Sequence, residues 1–313
     1  MSSIPTPKLP LIDLSELDGS KPGIGRWDSL QSQVRQALEE FGCFEALYDK
    51  MTLELHDDVF QESKELHELP ADVKHRFVVP DKPFNGYIAN RPLAPLHEVF
   101  GIPYVQGSIE RFADLMWPEG NTRFCETMNK YITKVLELDS LVRKLVLRSF
   151  CIDNHGNLLG ASIRYNFRLI KYAAPATESK KLGVMCHRDG NSVTILHQNH
   201  VNGLEVQTKD GRWIEVAPSS ASSFIVLTGE SFYGWSNGRL QSPCHRVMMS
   251  GHEPRYCIGF FSIDRGTIQC PQELVDEQHP LLFKPFDMDG LSRIYKTKEG
   301  QNGASAVDTF YRI

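Results

Sequence analysis

The first half of the chain has the hydrophobic spacing of amphipathic helices. Apolar residues recur every three or four positions behind the cap-forming Asp28, which predicts a first helix that ends near Phe41. A second apolar stripe ends near Pro70, and a long third stripe runs from about Asn121 to Phe150. Stripes of this kind are typical of packing faces, so these helices are predicted to support another part of the fold.

The second half, from Ser162 onward, alternates apolar and polar residues in short stretches separated by turn signals. Asn202-Gly203 and Asp210-Gly211 are tight-turn pairs, and the second is predicted to join strands at 204–207 and 213–216 as a hairpin. About eight such strands in two packed sheets are typical of a jelly roll. The predicted fold class is therefore α+β and mainly β, with a double-stranded β-helix core, an N-terminal helical region and a C-terminal helix.

The chain shows no internal repeat and no low-complexity linker. We therefore expect residues 1–160 to form a helical support region that is fused directly to a jelly roll at 161–287. The segment 288–313 resumes helical spacing, and we expect it to cap the mouth of the jelly roll.

Composition excludes several classes of protein. The chain has 313 residues, of which 41% are hydrophobic, so it can bury a large core. A formal net charge of −5 argues against sequence-independent binding of nucleic acid. The chain has neither a charged-then-apolar leader nor an apolar run long enough to cross a bilayer, so a cytoplasmic protein without membrane contact is expected.

The cysteines suggest a reducing compartment. There are seven, an odd number, and they lack the paired spacings of zinc sites. Reduced thiols in a cytosolic protein are therefore expected. Cys43, Cys151 and Cys186 are interpreted as small buried apolar residues.

His187, Asp189 and His245 are the candidate metal ligands. Residues two apart on a strand project to the same face, so His187 and Asp189 can reach one metal ion from a single strand. His245 lies in another β-rich stretch and can supply the third ligand from a neighbouring strand. Two histidines and one carboxylate form the ligand set of non-haem Fe(II) oxygenases, although an isolated His-x-Asp pair also occurs by chance on protein surfaces.

A second constellation follows ten residues beyond His245. Arg255 offers a planar fork of donors that fits a carboxylate, and Cys257 lies two residues further on the same predicted strand face. Tyr172 ends an upstream predicted strand and could donate its phenol hydrogen to the same anion. Taken singly, Arg255 fits a solvated surface ion pair equally well, and Tyr172 fits a core position.

In their order, these motifs resemble the plant soluble family of Fe(II)/2-oxoglutarate-dependent dioxygenases over nearly the whole chain. The resemblance includes an opening strand at 9–14, a Gly-Cys-Phe segment at 42–44, the metal triplet at 187–189, and the stretches at 203–206 and 236–247. The segments 117–121, 202–207 and 238–243 are most similar to the branch of glucosinolate side-chain-modifying, AOP-like dioxygenases. Branch membership does not identify a substrate.

The resemblance implies a role for each matched residue. His187, Asp189 and His245 match the Fe(II) ligands, and Arg255 matches the arginine that binds the distal carboxylate of 2-oxoglutarate. Tyr172 matches a tyrosine that assists this arginine. Two positions depart from the family pattern: Ile170 stands where asparagine is usual, and Cys257 stands where serine is usual.

The family activity implied is oxidation of a small plant specialised metabolite, with release of succinate and carbon dioxide. Hydroxylation, desaturation and oxidative side-chain elimination are all compatible with this chemistry. Ascorbate is the expected supporting reductant, and a monomer is expected. Phe261 and Phe84 are the candidate aromatic walls of the substrate pocket.

Three alternatives remain open from the sequence. One is a related oxidase that takes its electrons from ascorbate without 2-oxoglutarate, and another is a catalytically inert ligand-binding relative. The third is a hormone-oxidising dioxygenase acting on auxin-like or gibberellin-like acids, which calls for a positive charge near the metal from Arg164, Arg168 or Lys171. His197 and His200 are interpreted as structural or surface residues, because the ligand set is already complete.

Overall fold

The computed structural model describes residues 8–15, 17, 26–80, 84–92, 94–152, 163–297 and 303–313. Within these residues the helices are α1 (Trp27–Glu40), α2 (Leu53–Glu68), α3 (Ala71–Lys74), α4 (Ser108–Met116), α5 (Thr122–Ser149), α6 (Glu230–Trp235), α7 (Met288–Ile294) and α8 (Ala306–Phe310). The strands are β1 (Leu11–Asp13), β2 (Cys43–Leu47), β3 (Gly86–Arg91), β4 (Ala94–Tyr104), β5 (Ile163–Tyr172), β6 (Thr177–His187), β7 (Val193–Gln198), β8 (Leu204–Gln207), β9 (Trp213–Glu215), β10 (Ser223–Thr228), β11 (His245–Gly251) and β12 (Arg255–Asp264).

Two sheets form the jelly roll that the alternating pattern predicted. The larger sheet has the order β1-β2-β10-β7-β12-β5-β4-β3, and the smaller has the order β6-β11-β8-β9. The hairpin predicted around Asp210-Gly211 is present, since β8 pairs antiparallel with β9. Every strand from β5 to β12 belongs to the predicted jelly-roll region, and the predicted fold class is confirmed.

The N-terminal half contributes strands as well as helices to this fold. β1 and β2 extend one edge of the larger sheet beside β10, whereas β4 and β3 extend the other edge beside β5. The hydrophobic pattern predicted only the helices of this region, whereas the family resemblance also implied the opening strand, which is present as β1. Because the N-terminal strands lengthen the same sheet that carries the cavity wall, residues far from the jelly roll in sequence become part of the site.

The helices cover the outer face of the larger sheet. α5 contacts α1, α2 and α4, and its apolar stripe packs in one core with side chains from alternate positions of the sheet strands. Phe167 and Leu169 of β5 point into this core, so the intervening residues of β5 face the other way, between the two sheets. The predicted supporting role of the helices is thereby confirmed.

The C-terminal segment packs beside the metal-ligand strand. Tyr295 and the backbone of Ala306 both donate hydrogen bonds to the buried carboxylate of Glu230, at 3.0 and 2.8 Å. Arg188 Nε donates to the carbonyl of Gly303 at 3.0 Å. None of the described residues of this segment lines the cavity, so its capping of the mouth stays a prediction.

The cysteines differ in part from expectation. Cys186 and Cys244 form a disulfide that joins β6 to the residue before β11, so the expectation of reduced thiols is wrong for this pair. Cys43 is fully buried, as interpreted, whereas Cys151 is exposed and Cys186 is only partly buried. Sequence spacing could not reveal this pair, because the two residues are 58 positions apart and meet only through pairing of their strands.

No helix in the described ranges combines the length and apolar character that crossing a bilayer requires.

Candidate active site

A cavity of about 420 Å³ lies between the two sheets. Its walls come from β3, β4, β5, β7 and β12 of the larger sheet, and from β6, β8 and β11 of the smaller one. All eight residues that the sequence proposed as metal ligands, 2-oxoglutarate contacts or aromatic pocket walls line it: His187, Asp189, His245, Arg255, Tyr172, Cys257, Phe261 and Phe84. The fold therefore brings together residues that are up to 177 positions apart, from Phe84 to Phe261.

The three candidate metal ligands converge at one end of β6. His187 is the last residue of β6, and His245, the first residue of β11, is its direct cross-strand partner. Asp189 lies two residues beyond the end of β6, so the expectation that one strand carries both His187 and Asp189 is wrong in this detail. One potential ligand atom from each residue lies within 4.8 Å of the others, a separation that a single metal ion can bridge.

Both imidazoles are oriented for metal binding by backbone carbonyls. The Nδ1 atom of His187 lies 2.9 Å from the carbonyl oxygen of Met185, and Nδ1 of His245 lies 3.2 Å from that of Pro243. A hydrogen on each Nδ1 leaves the Nε2 lone pair for a metal. Burial, aided by the neighbouring His187, lowers the pKa of His245 to about 4, which keeps this ring neutral at physiological pH.

Asp189 supplies the negative charge of the cluster. Its Oδ1 lies 3.8 Å from His187 Nε2, and its Oδ2 lies 3.9 Å from His245 Nε2. Burial alone would raise the pKa of Asp189, but the neighbouring His245 and His187 and the Thr194 hydroxyl together hold it below its ordinary value. A carboxylate and two imidazoles that share one small space fit a divalent metal.

Arg255 is a buried cation that no described carboxylate neutralises. The residue is 1% exposed, and its Nη2 donates to Gln198 Oε1 at 2.8 Å. Its Nε has no hydrogen-bond partner among the described residues. A buried guanidinium with an unused donor carries a large free-energy cost unless an anion binds, so this position fits a carboxylate ligand.

Tyr172 and Cys257 flank this arginine. Tyr172 is the cross-strand partner of Arg255, and the guanidinium carbon lies 5.3 Å from the centre of its ring. Burial raises the pKa of both the Tyr172 phenol and the Cys257 thiol, so each keeps its proton. The phenol is thus a potential donor to an anion held by Arg255, while the thiol is a weak one.

Some cavity residues carried no signal in the sequence. Thr194 donates to Asp189 Oδ2 at 2.6 Å, and His97 reaches the cavity from β4 with its ring 5.3 Å from that of Tyr172. Neither belongs to a ligand motif. The order of strands in the larger sheet, which brings β4 beside β5, is what places His97 here.

Comparisons with known proteins agree with this geometry. A family model described as the 2OG-Fe(II) oxygenase superfamily matches residues 162–264, and a model of the N-terminal region of non-haem dioxygenases in morphine synthesis matches residues 9–102. The chain is 41% identical to the probable 2-oxoglutarate-dependent dioxygenase AOP1.2 of Arabidopsis thaliana, over 97% of this chain and 95% of that relative. The chain belongs to the 2OG-Fe(II) oxygenase superfamily. The resemblance to AOP-like dioxygenases is confirmed.

Two solved structures of this superfamily share the fold. The rice dioxygenase for auxin oxidation superposes with a TM-score of 0.81 at 26% identity, over 97% of this chain and 100% of that chain. The 2-oxoglutarate complex of dioxygenase for auxin oxidation 1 from Arabidopsis thaliana gives 0.76 at 26% identity, over 87% and 99%. As a 2-oxoglutarate-dependent dioxygenase, the protein uses the Fe(II) and 2-oxoglutarate of its superfamily.

Proposed function

We propose that this enzyme oxidises a C–H bond of a small plant specialised metabolite, by hydroxylation, desaturation or oxidative side-chain elimination. The observation that carries the proposal is the convergence of a two-histidine, one-carboxylate cluster and an unneutralised buried arginine on one cavity of about 420 Å³. A cavity of this size suits a small-molecule substrate and is too confined for a nucleic acid.

In this proposal His187, Asp189 and His245 hold the iron, and Arg255 binds the far carboxylate of 2-oxoglutarate with assistance from Tyr172. Bound iron and 2-oxoglutarate together supply the oxidising chemistry, in which dioxygen is consumed and succinate and carbon dioxide are released.

The chain's own contribution is orientation and exclusion of water. Arg255 donates a hydrogen bond to Gln198, which fixes the guanidinium, and Thr194 fixes the Asp189 carboxylate. Ile170, at a position where the family usually has asparagine, presents an apolar side chain to the cavity together with Val247. Apolar walls keep bulk water from the reacting groups and suppress side reactions.

Succinate formation tests this proposal. The protein reconstituted with Fe(II) and 2-oxoglutarate should release succinate, and extracts fractionated from a plant source should accelerate the release. His187→Ala should abolish it, while Lys181→Ala, at an exposed position of β6, should leave it unchanged. Oxidation supported by ascorbate with no need for 2-oxoglutarate would favour the related oxidase instead, and absence of Fe(II) binding would favour an inert relative.

Oxidation of an auxin-like or gibberellin-like acid is a second candidate. One observation favours it: of the three cations considered from the sequence, Arg168 lines the cavity, whereas Arg164 is exposed and Lys171 does not line it. The similarity to two dioxygenases for auxin oxidation points in the same direction.

We extend the proposal to the enzyme's oligomeric state, its location and its reductant. The protein acts as a monomer in the cytoplasm, and ascorbate keeps its iron reduced. The helical region at 1–160, the jelly roll at 161–287 and the segment at 288–313 work as one unit, because N-terminal strands extend both edges of the catalytic sheet.

A further inference from the structure

Arg168 lines the cavity, but the proposed function assigns it to neither the metal nor the co-substrate. It lies on β5 with Gly101 of β4 as its partner on one side and Gly259 of β12 as its partner on the other. Neither neighbour has a side chain. The positions that their side chains would occupy are taken by the ring of Phe261 and the backbone of Phe84.

Two aromatic residues approach closely at these glycines. A Cβ atom at Gly259 would lie 2.6 Å from the ring of Phe261, and one at Gly101 would collide with the backbone oxygen of Phe84. The guanidinium carbon of Arg168 lies 3.8 Å from the ring centre of Phe261 and 5.2 Å from that of Phe84. Both contacts are within the range of cation–π attraction, so the glycines and aromatic rings together hold the guanidinium in place.

A chain of amides fixes the orientation of this guanidinium. Arg168 Nε donates to Asn166 Oδ1 at 2.8 Å, and Asn166 Nδ2 donates to Asn85 Oδ1 at 2.8 Å. In the part of the chain that the structure describes, the terminal nitrogens of Arg168 donate no hydrogen bond and no carboxylate lies within 4.0 Å of them. The residue lines the cavity, so these terminal donors remain for a ligand.

Charge balance also calls for a ligand at Arg168. Burial lowers its pKa to about 10, with an opposing effect from Asp189, and the residue remains a cation at physiological pH. Once iron and doubly charged 2-oxoglutarate are bound, their charges cancel with those of Asp189 and Arg255. The charge of Arg168 then lacks a counter-ion in this count, and Arg91, which also lines the cavity, adds positive charge to its surroundings. A buried cation in a largely apolar cavity is unfavourable unless an anion binds there.

We propose that Arg168 is the specificity-determining residue of the enzyme and binds a single carboxylate or sulfate group on a substrate with a flat or apolar body. The planar fork of an arginine fits two oxygens of either group, and Phe84, Phe261 and Ile170 offer apolar contact to the rest of the molecule. This inference rests on the proposed function, because it places the substrate in the cavity that also holds the metal.

The strand order sets the position of the bound anion. β12 separates β5 from β7, so Arg168 lies two strand spacings, about 10 Å, from the strand that carries Thr194 beside Asp189. Arg168 and the residue that holds Asp189 therefore lie on different strands of the cavity wall.

Equilibrium binding tests this assignment without relying on turnover. The protein is loaded with manganese(II) in place of iron and with saturating 2-oxoglutarate, so that Arg255 is already occupied. Aromatic and aliphatic monocarboxylates are then titrated by calorimetry beside their uncharged carboxamides and the corresponding sulfate esters. We expect at least one acid or sulfate ester to bind about tenfold or more tightly than its carboxamide.

Arg168→Gln should remove this preference for the anion, whereas Arg164→Gln, an exposed position on the same strand, should keep it. If carboxylates bind more tightly, the carboxylate is the group that Arg168 binds. If sulfate esters bind more tightly, the sulfate is that group. No preference for any anion in the wild-type protein, or a preference that survives in Arg168→Gln, overturns the inference.

Failure here is distinguishable from failure of the proposed function. If only the anion assignment is wrong, the wild-type protein still binds 2-oxoglutarate in a metal-dependent manner and still releases succinate with Fe(II). If the proposed function is wrong, the wild-type protein itself shows no metal-dependent binding of 2-oxoglutarate.

Discussion

Thr194 donates a hydrogen bond of 2.6 Å to Oδ2 of Asp189, the carboxylate of the candidate metal cluster. Thr194 is itself held by Asn191, whose Nδ2 lies 3.2 Å from the threonine hydroxyl. The hydrogen bond between Thr194 and Asp189 links the loop that carries Asp189 to the start of β7. It fixes a carboxylate that would otherwise rotate freely just beyond the end of β6.

Thr194→Val should therefore weaken metal binding without removing a ligand. Valine keeps the shape of threonine but cannot donate to Asp189, and loss of a hydrogen bond of this kind costs about 10–100-fold in metal affinity. Competition with a chromophoric chelator for cobalt(II) or iron(II) measures the change. Thr228→Val is the matched control, because that hydroxyl bonds to the carbonyl of Gly42, away from the metal cluster. Equal metal affinities in the two variants would contradict the role of Thr194.

Cys257→Ser should keep or tighten the affinity for 2-oxoglutarate. Cys257 is 2% exposed and lines the cavity two residues beyond Arg255, where a hydroxyl donates a stronger hydrogen bond than a thiol. We expect unchanged or up to about tenfold tighter binding, measured without oxygen through the iron-to-oxoglutarate absorption band. Cys257→Ala has neither a thiol nor a hydroxyl to donate, so this variant should bind 2-oxoglutarate no more tightly than wild type. A clear loss of affinity in the serine variant would show that the thiol itself is required.

The sequence was sufficient to propose the ligand set because its spacing has a direct structural meaning. His187 and Asp189 lie two residues apart in the chain, and His245 and Arg255 begin β11 and β12, which both line the cavity. The sequence also predicted the helices that support the sheet, since their apolar stripes must be buried.

The remaining cavity wall depends on sheet order, which alternation along one strand does not encode. The sequence left Arg164, Arg168 and Lys171 as equal candidates, and only the register of β5 shows that Arg168 faces the cavity. Gly101 matters because β4 pairs with β5, a pairing between segments some 67 residues apart. Such long-range pairing is set by the packing of the whole domain and not by local residue preference.

His197 makes the stability of the fold depend on pH. Its ring is buried among Tyr131 and Phe224, and its Nε2 lies 2.9 Å from the carbonyl of Ala221. Burial lowers the pKa of His197 to about 3 from an ordinary 6.5, so the folded state holds the neutral ring. This contribution to stability is fully present above pH 6.5 and is lost as the pH falls toward 3, because the unfolded chain binds the proton more readily.

His197→Gln isolates this effect. Glutamine can still donate to Ala221 but does not titrate, so the variant should lose less unfolding free energy on acidification than wild type. Between pH 7 and pH 5 the difference should be about 2 kcal/mol, measured by urea unfolding at each pH. Parallel pH dependence in the two proteins would show that His197 does not stay neutral in the folded state.

The thiol count tests the disulfide that lies beside the metal ligands. Cys186 and Cys244 directly precede His187 and His245, so their bond ties together the two strand ends that hold the imidazoles. In denaturant without reductant, five of the seven cysteines should react with a thiol reagent, and all seven should react after reduction. Cys186→Ser should free Cys244 and make the two counts equal, whereas Cys151→Ser, at an exposed position, should lower both counts by one and keep their difference. Seven reactive thiols before reduction would show that the pair is not oxidised in solution.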